Sequence, residues 1–380
     1  MRSARIVGLL LGAVPLVAIG ALAPASATPK PKPRALVVPT RAFPTIQSAV
    51  DAARPGDRVT VRPGVYREQV TIGKKLTLTG AGAGKTTIRA PRKLVKGPDG
   101  RTAIVTLDDA ASVRISRLTV SGPGSGTCDK GALGAGIRVM GGAHLDLGRA
   151  KVTHIKDTPL APCFRSATAV LVGGLPEGTG SATITDSRIT DYQGAGIVVL
   201  NARSRATLVR NVVVGQKKLS TDGIEFIEAT GRIEHNVVRD NACREPDPGC
   251  GTDFFEDVQH AGILAGAPGT VITGNRLTGN QLGIYAVDTA RISRNRMTGN
   301  TYFGMALQDG SFTAAKDVVR GGTGGVAVIA SSVDTTARLH HVKITKTSGP
   351  RIRTFTCCGH TATVKTRRQA ERTAPYEGNV

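Results

Sequence analysis

The chain has 380 residues, of which 40% are hydrophobic, and 50 Lys and Arg against 28 Asp and Glu give it a formal charge of +22. Such a surplus favours polyanionic partners, acidic polysaccharide or an anionic cell-wall polymer, where it does more than maintain solubility. Aromatic residues make up 3% with no tryptophan, which argues against nucleic acid, because bases are gripped by stacking platforms.

The chain opens with MRSARIVGLLLGAVPLVAIGALAPASA, in which two arginines precede an apolar run interrupted by Pro15 and closed by Ala25-Ser26-Ala27. This is the layout of a secretory signal peptide cut after Ala27, and the proline and small-residue site disfavour a membrane anchor. Removal of Arg2 and Arg5 takes the charge from +22 to +20. The expectation is a secreted, extracellular protein with no membrane attachment after cleavage. Export also suits disulfides among the six cysteines: Cys243 and Cys250 bracket a short loop, Cys128 and Cys163 fall between strands, and Cys357 and Cys358 pair with each other or elsewhere.

Residues 28–40 begin TPKPKPR and read as a stiff, exposed linker. FPTIQSAVDAARPGDRVTVRPGVYREQVTI then supplies a short amphipathic helix with Ile46, Ala49, Val50 and Ala53 on one face, a Pro-Gly stop and two strands. Next comes LTLTGAGAGKTTI, superficially a phosphate loop. The position that must be glycine, counted back from Gly84, is Thr79, and Pro91, Gly97 and Pro98 break the helix that should follow. No nucleotide is expected. The stretch reads as a turn whose glycines take positive φ and whose Lys85 and Thr86 face solvent.

From there the chain repeats. A small residue followed by an apolar one recurs at Gly136-Ile137, Ala169-Val170, Gly196-Ile197, Gly223-Ile224, Gly262-Ile263, Gly283-Ile284, Gly304-Met305 and Gly325-Val326, with a shortest spacing of 21 residues. Inside each unit the hydrophobic period is two, as in GIYAVDTARISRNRMTGN. Units that cannot bury an apolar face alone must stack, which predicts an all-β, single-domain right-handed parallel β-helix over residues 41–345 with an N-terminal capping helix. Residues 346–380 form a basic C-terminal segment. Asn211, Asn236, Asn275 and Asn295, and a second set Asn241, Asn280 and Asn300, are expected to form structural ladders in the turns.

The helix, the turn after it and the repeats together resemble secreted right-handed β-helix proteins of the pectin lyase-like superfamily. The opening is similar to the start of pectin methylesterases and NosD-like repeat proteins. The resemblance implies the fold and a polysaccharide-linked role. Gly251-Thr-Asp-Phe-Phe255 also resembles the segment that carries a catalytic aspartate in the esterases, with Asp253 as its counterpart. The partner motifs are missing, because the chain holds no tryptophan.

Candidate chemistry gathers where acids do. Ten of the 28 acids lie between Asp222 and Asp257, next to the longest insertion, which ends at His260. Strand phase places Asp222, Glu225, His260, Gln281, Tyr285, Tyr302 and Gln308 on one face. Asp222 and Glu225 are the carboxylate pair expected for glycoside hydrolysis. Arg138 and His260 are the neutraliser and base expected for a uronate lyase, and Asp253, Glu256 and Asp257 could serve as Ca²⁺ ligands. The outward columns beginning at Arg138 and Met140 are otherwise largely apolar, so something should cover them, with Phe254 and Phe255 as the natural contacts. A noncatalytic surface or adhesion module that docks a protein on this strip is the alternative.

Overall fold

The computed structural model describes residues 32–97, 100–125, 132–158, 167–174, 178–217, 220–242 and 260–367. Each coil contributes three short strands, as in Leu282–Val287, Ala290–Ser293 and Arg296–Thr298. Each of these pairs in parallel with its counterpart in the coils before and after. The result is three sheets: a leading sheet of 11 strands, a middle sheet of 13 and a trailing sheet of 11. The alternation seen in the sequence points Ile284, Ala286, Ile292 and Met297 into a common buried core. The fold is therefore the right-handed parallel β-helix.

The glycine of each repeat sits at the corner into the leading strand. A Cβ at Gly223 would press against Val238 and stand 2.7 Å from the Gly262 carbonyl oxygen. The corner thus turns inward against the trailing strand, and at Gly223 only glycine leaves room, whereas Ala169 is accommodated at the same place in an earlier coil. Because the register passes over this residue, the one before it (Ala261, Leu282 or Phe303) joins the outer face.

The corner between middle and trailing strands is a single left-handed residue, such as Arg210, His235 or Arg294. The residue after it points inward. Asn211, Asn236, Asn275 and Asn295 occupy that place: Asn211 accepts from the Ser187 N–H, Asn236, Asn275 and Asn295 each accept from the backbone N–H and side-chain amide of the asparagine before, and Asp317 closes the stack. Asn241, Asn280 and Asn300 repeat the device after the trailing strand, behind left-handed Asp240, Gly279 and Gly299. The ladders are structural, as expected, although the left-handed turn falls on the residue before each asparagine.

Helix α1 (Ile46–Ala52) starts at a Thr45–Ser48 capping box and buries Ile46, Ala49 and Val50 against the first coil. The sheets extend past the 41–345 span at both ends, since Ala35–Val38 pairs with Arg58–Val61, and Ile352–Thr356 and Ala362–Arg367 add a last rung.

The GAGAGKTT turn departs from expectation at two positions. Thr86 is fully buried, its hydroxyl bonded to the carbonyls of Val61 and Arg62, whereas Lys85 is exposed. Gly80 is needed for close approach rather than for positive φ, because a Cβ there would collide with the Arg117 carbonyl and lie 2.8 Å from Leu118.

Residues 1–27, the Cys243–Cys250 pair, Cys128 and Cys163 lie outside the described residues. Cys357 and Cys358 sit side by side in the turn after Ile352–Thr356, their sulfurs paired with each other.

Candidate functional site

The outer face of the leading sheet is built as a grid. One column runs Arg138, Leu171, Val198, Glu225, Leu264, Tyr285 and Ala306, each paired with the next. A second column holds Leu200, Ile227 and Gly266, then Val287, Gln308, Ile329 and Phe355. Asp222, one residue before the corner glycine, stands in the flanking column with Ala261, whose N–H donates to its Oδ1 at 2.7 Å. Glu225 lies on the strand Ile224–Ile227 and Asp222 just before the corner that opens it, on the same face.

Apolar residues wall this pair on both sides. Ala135, Leu171, Ala195 and Val198 cluster on the N-terminal side. Ala261, Leu282, Phe303, Ala306, Ala327 and Phe355 cluster on the other, with Leu264, Tyr285 and Tyr302 packed against them. Leu171 and Val198 are only 5% and 6% exposed and Ala306 and Ala327 are fully buried, whereas Leu200, Ile227, Leu264, Tyr285 and Val287 are half-buried, so the strip is covered only in part. The proposed covering residues Phe254 and Phe255 lie outside the described residues, as do the calcium candidates Asp253, Glu256 and Asp257. Among the described residues no group of His, Cys, Asp and Glu is arranged to hold a metal.

Asp222, His260 and Gln281 are buried, and their contacts are partly structural: Gln281 Oε1 accepts from the His260 N–H at 3.0 Å, tying adjacent coils. Burial, then the nearby Asp222 charge, pushes the Tyr192 hydroxyl well above its ordinary pKa, and that hydroxyl donates to Asn241. The carboxylate thus faces a neutral phenol from the core side.

On the far side Tyr285 donates to Gln308, whose amide reaches Asp309 and Ser331. Burial and the Asp309 charge raise the Tyr285 pKa. Burial opposes the charge of Asp309 itself, but bonds from Ser331, Ser332 and Gln308 outweigh it and hold the carboxyl below the usual range. Tyr302 belongs to the coil after Gln281 and donates its backbone N–H to the Gln281 carbonyl.

Arg138 is not brought to this group. It is buried in the same column but three rungs from Glu225, roughly 14 Å at ~4.8 Å per rung. The structure does not support it as a charge neutraliser beside His260.

The sequence reading passed over a second arrangement, on the outer side of the trailing sheet. The register stacks Arg67 on Arg89, Lys151 on Arg188 and Arg276 on Arg296, and the two outward columns of this sheet hold no carboxylate among the described residues. The signal was available in the first residues of RITDY, RLT and RMT, but strands of three to five residues are too short for alternation to identify an outward side.

A family model described as "right handed beta helix region" matches residues 175–341. No curated protein matches the chain in sequence. Among solved structures, the catalytic domain of a GH87 α-1,3-glucanase in complex with tetrasaccharides is similar at 12% identity and a TM-score of 0.54, over 92% of this chain and 70% of that one. The A-module of the Azotobacter vinelandii mannuronan C-5 epimerase AlgE4 aligns at 14% identity and a TM-score of 0.50, over 88% of this chain and 95% of that module. The GH136 lacto-N-biosidase from Eubacterium ramulus aligns at 13% identity and a TM-score of 0.53, over 84% of this chain and 67% of that one. At such identities the likeness establishes the fold.

Proposed function

We propose that this right-handed parallel β-helix of pectin lyase-like fold binds a polysaccharide on the outer face of its leading sheet and cleaves it with Asp222 and Glu225. The observation that carries the reading is the placement of two carboxylates three residues apart on one outward face, Asp222 before the corner and Glu225 on the strand after it, between two apolar walls. Hydrolysis of one glycosidic bond requires two carboxyl groups flanking it, one acting as acid and the other as base or nucleophile. The structurally similar glucanase, epimerase and lacto-N-biosidase act on carbohydrate with the same scaffold. The charge of +20 left after residues 1–27 are removed favours an acidic chain.

The test is a screen of the purified protein on polyuronates and neutral glycans, reading unsaturated-uronate absorbance for elimination and reducing ends for hydrolysis. Glu225→Gln is expected to lower product formation by about 10²-fold or more with an unchanged melting curve. Full activity in that variant removes Glu225 from the site. Saccharide binding without products favours the noncatalytic module.

Export belongs to the same reading. Protein recovered from the medium is expected to start at Thr28 by N-terminal sequencing, and a start at Met1 would remove the signal-peptide assignment.

A further inference from the structure

We infer that the protein has a second saccharide site, an anion-binding cleft on the outer side of the trailing sheet that takes an acidic polysaccharide strand. The cleft encloses about 560 Å³. Its floor is the outward positions of four successive trailing strands, Thr87 and Arg89, Thr119 and Ser121, Lys151 and Thr153, and Arg188. The glycine turn that imitates a phosphate loop forms one wall through Ala83 and Gly84, and Arg149 and His154 stand at the rim.

The electrostatics are one-sided. Asp186 is the one carboxylate lining the cleft, and Arg210 grips it through two bonds of 2.8 and 2.9 Å, which lowers its pKa. Arg89, Lys151 and Arg188 form no ion pair with a described residue, and the Arg89 Nε is buried without a hydrogen-bond partner. Lys151 and Arg188 are direct cross-strand neighbours, a like-charge pairing that destabilises a sheet unless a counter-charge bridges it.

The lining also selects among polyanions. The Thr119 and Ser121 hydroxyls donate to the Ala83 and Gly122 carbonyls and Thr153 bonds Thr190, so the cations and Thr87 are what the cleft offers a chain bearing carboxylates and hydroxyls. No Phe, Tyr or Trp side chain lines the cleft, which thus lacks the large stacking platforms that grip nucleic-acid bases. Rungs ~4.8 Å apart present cations at short intervals along the helix axis, matching an extended chain with repeated charges.

The site goes beyond the catalytic reading and does not depend on Glu225. Binding of sodium polygalacturonate to the full chain, followed by calorimetry at low ionic strength, tests it. Arg89→Gln/Lys151→Gln is expected to weaken affinity at least about tenfold, while Arg291→Gln, on the middle sheet, leaves it within twofold. A neutral dextran should not bind the cleft, and Arg276→Gln/Arg296→Gln, farther along the same face, should cost less than half as much in log affinity. Equal losses from the two double variants would mean a diffuse charge field with no cleft site. Unchanged affinity in Arg89→Gln/Lys151→Gln, or tighter binding of duplex DNA than of polygalacturonate, would also overturn the proposal. Loss of cleavage in Glu225→Gln with retained polygalacturonate binding leaves the cleft standing, so the two sites fail separately.

Discussion

Asn275→Ala is expected to destabilise the protein by roughly 3–5 kcal/mol and to lower its melting temperature by about 10 °C. The Asn275 amide donates to the Ile233 carbonyl at 2.8 Å and to Asn295 Oδ1 at 3.0 Å, and its own Oδ1 accepts from the backbone and side chain of Asn236. All these groups are buried, and alanine strands the Ile233 carbonyl and the Asn236 N–H in the core, where no water can replace the lost partner. Few single substitutions outside the core reach that size, because most surface changes stay within about 0.5 kcal/mol. Thermal denaturation followed by circular dichroism gives the shift. A loss below ~1 kcal/mol would mean that the ladder is ornamental.

Asp317→Asn is expected to do the reverse. Asp317 ends the ladder with one oxygen accepting from Asn295 at 2.8 and 2.9 Å and the other buried without a partner. Burial pushes its pKa up from 3.8 to about 6, against the lowering effect of the Asn295 and Ala315 hydrogen bonds. The sign follows from proton uptake: between pH 3.8 and about 6 the folded chain holds a proton that the unfolded chain has released. This contribution is fully present below pH 3.8, fades as pH rises through 6, and is absent above, a loss on the order of 2–3 kcal/mol. Asparagine has no charge to bury, and its amide would sit where the other rungs place theirs, aimed at the next carbonyl in the row, that of Ile292. The variant should melt several degrees higher than the native chain at pH 7.5, with the gap closing near pH 4. A gap independent of pH would show that Asp317 does not titrate in this range.

The columns of the leading face were readable before any coordinates because parallel stacking forces every coil into the same phase, and a one-residue slip would turn the whole apolar set outward. Fixing Ile224 and Ile263 as inward therefore fixed Glu225 and Leu264 as outward neighbours. Position along the column was harder. Arg138 reads as part of the same surface, and only counting coils reveals that Glu225 stands three rungs away. The burial of Thr86 was hidden because its local sequence is a loop, and its hydroxyl partners, Val61 and Arg62, come from the preceding coil. The isolated acid at the end of the ladder gave no signal either: Asp317 reads as a turn residue, and its environment is set by Asn295, one coil away.

The capped first coil and the one-coil reach of every pairing also order events in time. Ile284 finds Met305, and Ile224 finds Ile263, one coil later in sequence, so closing each new rung brings together residues about 20 to 40 apart, a modest entropic demand even though the finished sheets are parallel. Helix α1 and the first strands emerge first from the ribosome, and once packed they present a ready edge. Every later coil can be laid on the one before it, with the asparagine amides checking the register as each turn arrives. The chain is built to grow like a thread wound onto a spool, in the order in which it is made.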